Sequence, residues 1–129
     1  MTPHRFAIRV YYEDTDMAGI VYYANYLKFI ERARSDWVRD LGIDQLAMKA
    51  DGLVFAVRRV EADYLSPARF DEELEVVTDL EQVSGARLVL DQKVLRGADV
   101  IFQAVVTLVL INEAGHPARM PANIRLLLH

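Results

Sequence analysis

The sequence predicts an α+β fold, an antiparallel five-stranded sheet wrapped around one long central helix. Three observations predict it. The first residues alternate with the period of a strand, residues 27–41 carry the single long helical pattern, and from Leu53 onward the pattern is all strand, broken by short turns. Antiparallel runs with a segregated helix mark α+β rather than a parallel βαβ sheet.

Phe6, Ile8, Val10 and Tyr12 point one way and Ala7, Arg9 and Tyr11 the other, as in a half-buried strand. An acidic loop follows, Glu13-Asp14-Thr15-Asp16, then Met17-Ala18-Gly19, where Gly19 allows a sharp turn. In the helical segment Leu27, Ile30, Arg34, Val38 and Leu41 share one stripe, and Phe29, Ala33 and Trp37 add a second. That wide apolar arc predicts burial over much of the circumference. Asn25 is the expected N-cap and Gly42 the C-terminal stop. A short irregular or helical stretch, residues 44–49, leads to the turn pair Asp51-Gly52. Strands are then expected over residues 53–64, 74–81, 87–95 and 100–111, joined mainly by hairpin-like turns at Ser84-Gly85 and 96–99, with a break at Ser66-Pro67. The last strand is apolar at almost every position, which predicts a central strand covered on both faces. A tail, residues 122–128, carries three consecutive Leu. Five strands around one helix make the hotdog fold, whose exposed edge strand is expected to pair with a second subunit.

Composition narrows the function. The chain has 129 residues, 53% of them hydrophobic and 26% charged, so one domain over 1–129 is expected. No apolar run reaches the roughly 20 residues that span a bilayer. The N-terminus has no signal-peptide core and there is no Cys, which together predict a cytoplasmic protein without disulfides, thiolate nucleophiles or Cys-held metals. A net charge of −4 argues against nucleic acid or anionic lipid as partner. His4, His116 and His129 are widely spaced, so a His-based zinc site is not expected. Ser35, Ser66 and Ser84 lie outside any nucleophile-elbow motif. Carboxylates and backbone donors remain for catalysis.

The acidic loop is read two ways. It is either a solvated turn, with Asp14 and Thr15 bonding locally to backbone, or the carboxylate part of a reaction site. Gly19-Ile20-Val21 is too apolar for a solvated loop, and Tyr22-Tyr23-Ala24-Asn25-Tyr26 enters the helix directly. Helix N-termini present unpaired N–H groups with a partial positive charge, which suit the oxyanion of an attacked ester or thioester. A facing carboxylate would serve as nucleophile or general base.

The stretch from Asp14 to Tyr26, DTDMAGIVYYANY, resembles the signature D-x-D-x-x-G-x-V-x-x-x-x-Y of the 4-hydroxybenzoyl-CoA thioesterase family. Phe29-Ile30-Glu31-Arg32-Ala33-Arg34, the stretch from Tyr64 to Asp71 and Pro117-Ala118-Arg119-Met120-Pro121 resemble its YbgC branch, acyl-CoA thioesterases associated with the Tol–Pal system of Gram-negative bacteria. The resemblance implies Asp16 as catalytic carboxylate and the backbone N–H of Tyr23 as the group that polarises the thioester carbonyl. Many YbgC-type proteins carry His at the Tyr23 position, but the N–H belongs to the backbone. It implies Glu31 as an acyl contact, against the alternative of a helix ion pair with Lys28 or Arg34. Coenzyme A phosphates need a local basic patch. Arg119 and Arg87 are the candidates, while Arg58 and Arg59 read as exposed strand charges. Asp14 is expected to brace the loop. Any single member of the Tyr cluster (Tyr11, Tyr12, Tyr22, Tyr23, Tyr26) is expected in the core rather than in an acyl pocket.

The expected function is hydrolysis of an acyl-CoA, or acyl-carrier-protein, thioester without metal or redox cofactor, in a homodimer paired into a tetramer as the resemblance implies. Two alternatives compete with it. One is a Mg²⁺-dependent phosphatase that uses Asp14 and Asp16 as its metal-holding pair. The other is a non-catalytic hotdog protein that binds acyl thioesters.

Overall fold

The computed structural model describes residues 1–128. Five strands, β1 (His4–Arg9), β2 (Val54–Tyr64), β3 (Glu73–Ser84), β4 (Arg87–Arg96) and β5 (Asp99–Ile111), form one antiparallel sheet in the order β1-β3-β4-β5-β2. Helix α1 (Asn25–Asp40) packs on one face, α2 (Gln45–Ala50) leads into β2, and α3 (Ala122–Leu127) follows β5.

The strands from β3 to β5 make the expected meander. β2 departs from it, because it pairs with β5 at the sheet edge. The amides of Leu65 and Ser66 both donate to the Ile101 carbonyl, and the chain then crosses the end of the sheet to β3. β4 is the middle strand, and β5 is interior as expected, paired with β4 on one side and β2 on the other. On β5 the inner face (Phe102, Ala104, Val106, Leu108, Leu110) is buried, but Gln103, Val105 and Thr107 on the outer face are only half-buried. Its continuous apolar pattern reflects a full inner core and a partly covered outer surface rather than two covered faces.

Helix α1 buries Tyr26, Phe29, Ile30, Ala33, Trp37 and Val38 in one core with Leu88, Leu90, Val94 and Phe102 of the sheet. Its stripe is shifted from the expected one: Tyr26 is 3% exposed and Leu27 is 39% exposed. Only one side of the helix meets the sheet, so the arc is not buried over most of its circumference. Asn25 is the first helical residue rather than the cap, and the cap position, Ala24, has no side-chain bond. Gly42, at φ 86°, ends the helix as expected. Asp44 caps α2 by accepting from the Ala47 amide. Helix α3 was not legible, because its six residues bury only Ile124 and offer too short a period.

A polar bolt joins helix to sheet. Gln92, 0% exposed, donates to the Ile30 carbonyl and to Thr78 Oγ1, both at 2.9 Å, and accepts from Arg34 Nη1 at 3.0 Å. Burial pulls the Arg34 guanidinium below its usual range, against the opposing effect of Glu31. At the far end of α1, His4 Nε2 meets Asp36 Oδ2 at 2.8 Å and ties β1 to the helix.

The helix leaves β2 uncovered. Val57 and Val60 face inward, opposite Leu108 and Val106, yet are 49% and 38% exposed. Gln92→Leu removes one partner each from Ile30, Thr78 and Arg34 inside the core. It is expected to destabilise the protein by about 2–4 kcal/mol, measured by denaturant unfolding at fixed protein concentration.

Candidate active site

The loop between β1 and α1 is held by backbone. A 3-10 turn, Tyr12–Asp14, follows β1. Asp14 is buried, and its carboxylate accepts from the Tyr11 amide at 2.8 Å. The Asp14 carbonyl accepts from the Tyr22 amide and from Asn25 Nδ2, each at 2.9 Å. The bracing role expected of Asp14 is what the geometry contains. Asp14 is buried while Asp16 is exposed, and the antiparallel sheet is not the doubly wound one of the phosphatase alternative. Asn25, expected to cap the helix, instead donates its side-chain amide to the loop.

Residues 15–21 fold back on themselves. Thr15 bridges Val21, the Asp16 amide donates to the Ile20 carbonyl at 2.9 Å, and the Gly19 amide donates to the Asp16 carbonyl at 3.0 Å. Gly19 takes φ 78°, the left-handed region where a side chain is strained. The Val21 amide donates to the Ala68 carbonyl at 2.8 Å, and Ile20 bridges Arg69, so the loop is stitched to the crossover after β2. Asp16 is exposed. Its Oδ1 accepts from the Ala18 amide at 2.9 Å, and Oδ2 has no partner among the described residues.

The helix entry supplies the donors. The Tyr22 carbonyl accepts from the Asn25 amide at 2.8 Å and the Ala24 carbonyl from the Leu27 amide at 3.2 Å. The N–H groups of Tyr23 and Ala24 have no acceptor among the described residues. One short loop therefore joins a partly unpaired carboxylate to two free amides at the positive end of a sixteen-residue helix. Aromatic rings surround the entry: Tyr22, Tyr23 and Tyr64 are exposed, while Tyr26 is buried, stacks on Phe102 with centroids 4.9 Å apart and accepts from the Ala68 amide. Of the Tyr cluster only Tyr26 belongs to the core; Tyr11 and Tyr12 are exposed like the others.

Glu31 lies two turns along α1, exposed, with Oε1 accepting from Ser35 Oγ at 2.9 Å. The alternative ion pairs with Lys28 or Arg34 do not form. It borders a groove of ≈170 Å³ between α1 and β2, with Arg34, Phe55, Val57 and Leu108. Arg87 and Arg119 are not beside Asp16. Arg87 pairs with Val109, seven residues along β5 from Phe102, about 23 Å at the ordinary strand rise. Arg119 is at that same far end, since the next residue, Met120, donates to the Gly85 carbonyl. There Arg87 and Arg58 share a depression of ≈540 Å³ with Ser84, Val109, Ile111 and Pro117. Arg58 thus joins the basic patch rather than standing as an isolated strand charge, while Arg59 pairs with Glu61 at 3.2 Å. Two contributors were missed, the free amide of Ala24 and the hydroxyl of Tyr64, which donates to the Tyr23 carbonyl at 3.0 Å. The Ala24 amide falls under the general expectation of free N–H groups at a helix start, whereas the Tyr64 hydroxyl has no sequence signal, because it depends on how the crossover seats the end of β2.

Comparison with known proteins agrees with this architecture. A model of the thioesterase-like superfamily matches residues 10–128. The acyl-CoA thioester hydrolase YbgC of Escherichia coli O6:H1 is 38% identical over 109 residues, 84% of this chain and 81% of the relative. The acyl-CoA thioesterase YbgC of Haemophilus influenzae is 34% identical over 126 residues, 96% and 93% of the two chains. The crystal structure of a probable thioesterase from Bartonella henselae superposes with a TM-score of 0.87 at 40% identity, covering 93% of this chain and all of the other. With the sheet order, the wrapped helix and this loop, the chain belongs to the thioesterase-like superfamily of hotdog proteins.

Proposed function

We propose that the chain is an acyl-CoA thioesterase, carried by one observation: Asp16 and the free amides of Tyr23 and Ala24 sit on one folded-back loop at the start of α1. Water deprotonated by Asp16 attacks the thioester carbonyl, or Asp16 attacks it and water resolves the mixed anhydride. Both routes place the same oxyanion on the N–H of Tyr23, and the C–S bond then breaks to release the coenzyme A thiolate and the carboxylic acid. An acyl-carrier-protein thioester presents the same phosphopantetheine arm. Acyl-CoA hydrolysis fits the names of the relatives and a cytoplasmic location.

The site works as a pair of subunits. β2 offers an unpaired edge and the inward Val57 and Val60, uncovered by its own helix, which a second copy's β2 would complete in antiparallel register. Such pairing turns the second copy end for end, so its far end, with Arg58, Arg87 and Arg119, comes beside the first copy's Asp16. The basic patch that one chain holds at the other end of the sheet from its own loop then lies within reach of the coenzyme A phosphates. The groove beside Glu31 and Phe55 lies toward the same end and receives the acyl group. Two such dimers make the tetramer.

The test is thiol release from a panel of acyl- and aryl-CoAs. Asp16→Asn is expected to lower kcat by about 10²–10⁴-fold with fold and oligomer mass unchanged; unchanged activity would move the carboxylate to Glu31, and binding without turnover in the wild type would make the chain a non-catalytic binder. Arg87→Ala and Arg119→Ala are expected to raise KM about 5–50-fold with kcat little changed. Val60→Lys is expected to yield a monomer in light scattering and to abolish activity.

A further inference from the structure

The carbonyl of Tyr23 stands outside the helical ladder. In a regular α-helix it would accept from the Leu27 amide four residues on, but that amide bonds to Ala24 instead, at 3.2 Å. The Tyr23 carbonyl accepts from the hydroxyl of Tyr64, at 3.0 Å, from the last residue of β2. The two preceding peptides are each anchored once, Val21–Tyr22 by its N–H donating to the Asp14 carbonyl and Tyr22–Tyr23 by its carbonyl accepting from the Asn25 amide. The Tyr23–Ala24 peptide has no other anchor among the described residues. Its N–H is that of Ala24, and rotation of this plane would also disturb Tyr23 itself.

We propose that Tyr64 is a positioning residue, whose hydroxyl fixes the Tyr23–Ala24 peptide plane so that the two free amides at the helix entry point at one oxyanion. This rests on the thioesterase reading above. The ring is held for the task by Tyr26, Phe102 and Tyr23, with centroids 5.5, 5.0 and 6.1 Å away. Partial burial pushes the Tyr64 phenol above its ordinary range, so it stays protonated and donates throughout the neutral range. The bond matters at the transition state rather than on binding, because oxyanion donors act on charge that exists only there.

The test is Tyr64→Phe, which keeps the ring and removes the hydroxyl. On the best acyl-CoA of the panel, kcat is expected to fall about 10–100-fold with KM within about twofold. In ¹H–¹⁵N spectra the Tyr23 and Ala24 amides are expected to broaden or double, while amides in β4 stay unchanged. A kcat within about threefold of wild type, or a lowered kcat with unchanged Tyr23 and Ala24 amides, would overturn the positioning role. If the wild type hydrolyses none of the panel, the thioesterase reading fails separately, and the amide spectra alone decide whether Tyr64 orders this peptide.

Discussion

The carbonyl and carboxylate of Asp14 hold the site together. One residue ends the 3-10 turn after β1, takes the Tyr11 amide on its side chain, and takes the Tyr22 amide and the Asn25 side chain on its carbonyl. The two bonds that involve side chains are partly buried, where an unpaired partner is costly. Asp14 is therefore spent on architecture, the bracing role the sequence assigned to it. Its commitment leaves Asp16, two residues on, at the exposed end of a rigid loop with one carboxylate oxygen unpaired. Loop strain is confined to Gly19, which lacks the side chain that strain would penalise.

Helix α1 reaches the site with its N-terminus, and its other end is fixed far away. The Gln92 bolt and the His4–Asp36 contact anchor the helix to β4, β3 and β1. Because these anchors all lie on one half of the sheet, the β2 half keeps its apolar inner face open. The same asymmetry separates the basic patch from the loop. Within one subunit Arg58, Arg87 and Arg119 lie at the end of the sheet away from Asp16, and the proposed antiparallel pairing of β2 edges is what would bring them to a partner's loop.

Much of this was legible in the residues. Alternation located β1 and β3, runs bounded by turns located β2, β4 and β5, the helical stripe located α1, and the spacing of Asp14, Asp16 and Gly19 located the loop. The failures in the sheet share a cause, because they depend on which strand sits beside which. The pairing of β2 with β5 was not legible because periodicity says nothing about pairing, and β5, an interior strand as expected, was read as covered on both faces because apolar residues on a half-covered face look like those on a covered one. Leu27 is exposed although the stripe placed it inward, because at the helix start the buried side falls on Tyr26. The short α3 had too few residues for a period. In the site, Asp16 and the Tyr23 amide were reachable from the motif, whereas the Tyr64 hydroxyl and the distance of Arg87 from Asp16 follow only from register.

The central claim is that the thioester carbonyl sits between Asp16 and the helix-entry amides. A crystal structure with a non-hydrolysable acyl-CoA analogue, carrying a ketone in place of the thioester, tests it most directly. The analogue's carbonyl oxygen is expected within hydrogen-bond distance of the Tyr23 N–H, with an Asp16 oxygen facing the carbonyl carbon at about 3–3.5 Å. A carbonyl bound away from the start of α1, with Asp16 in contact only with solvent, would contradict the account.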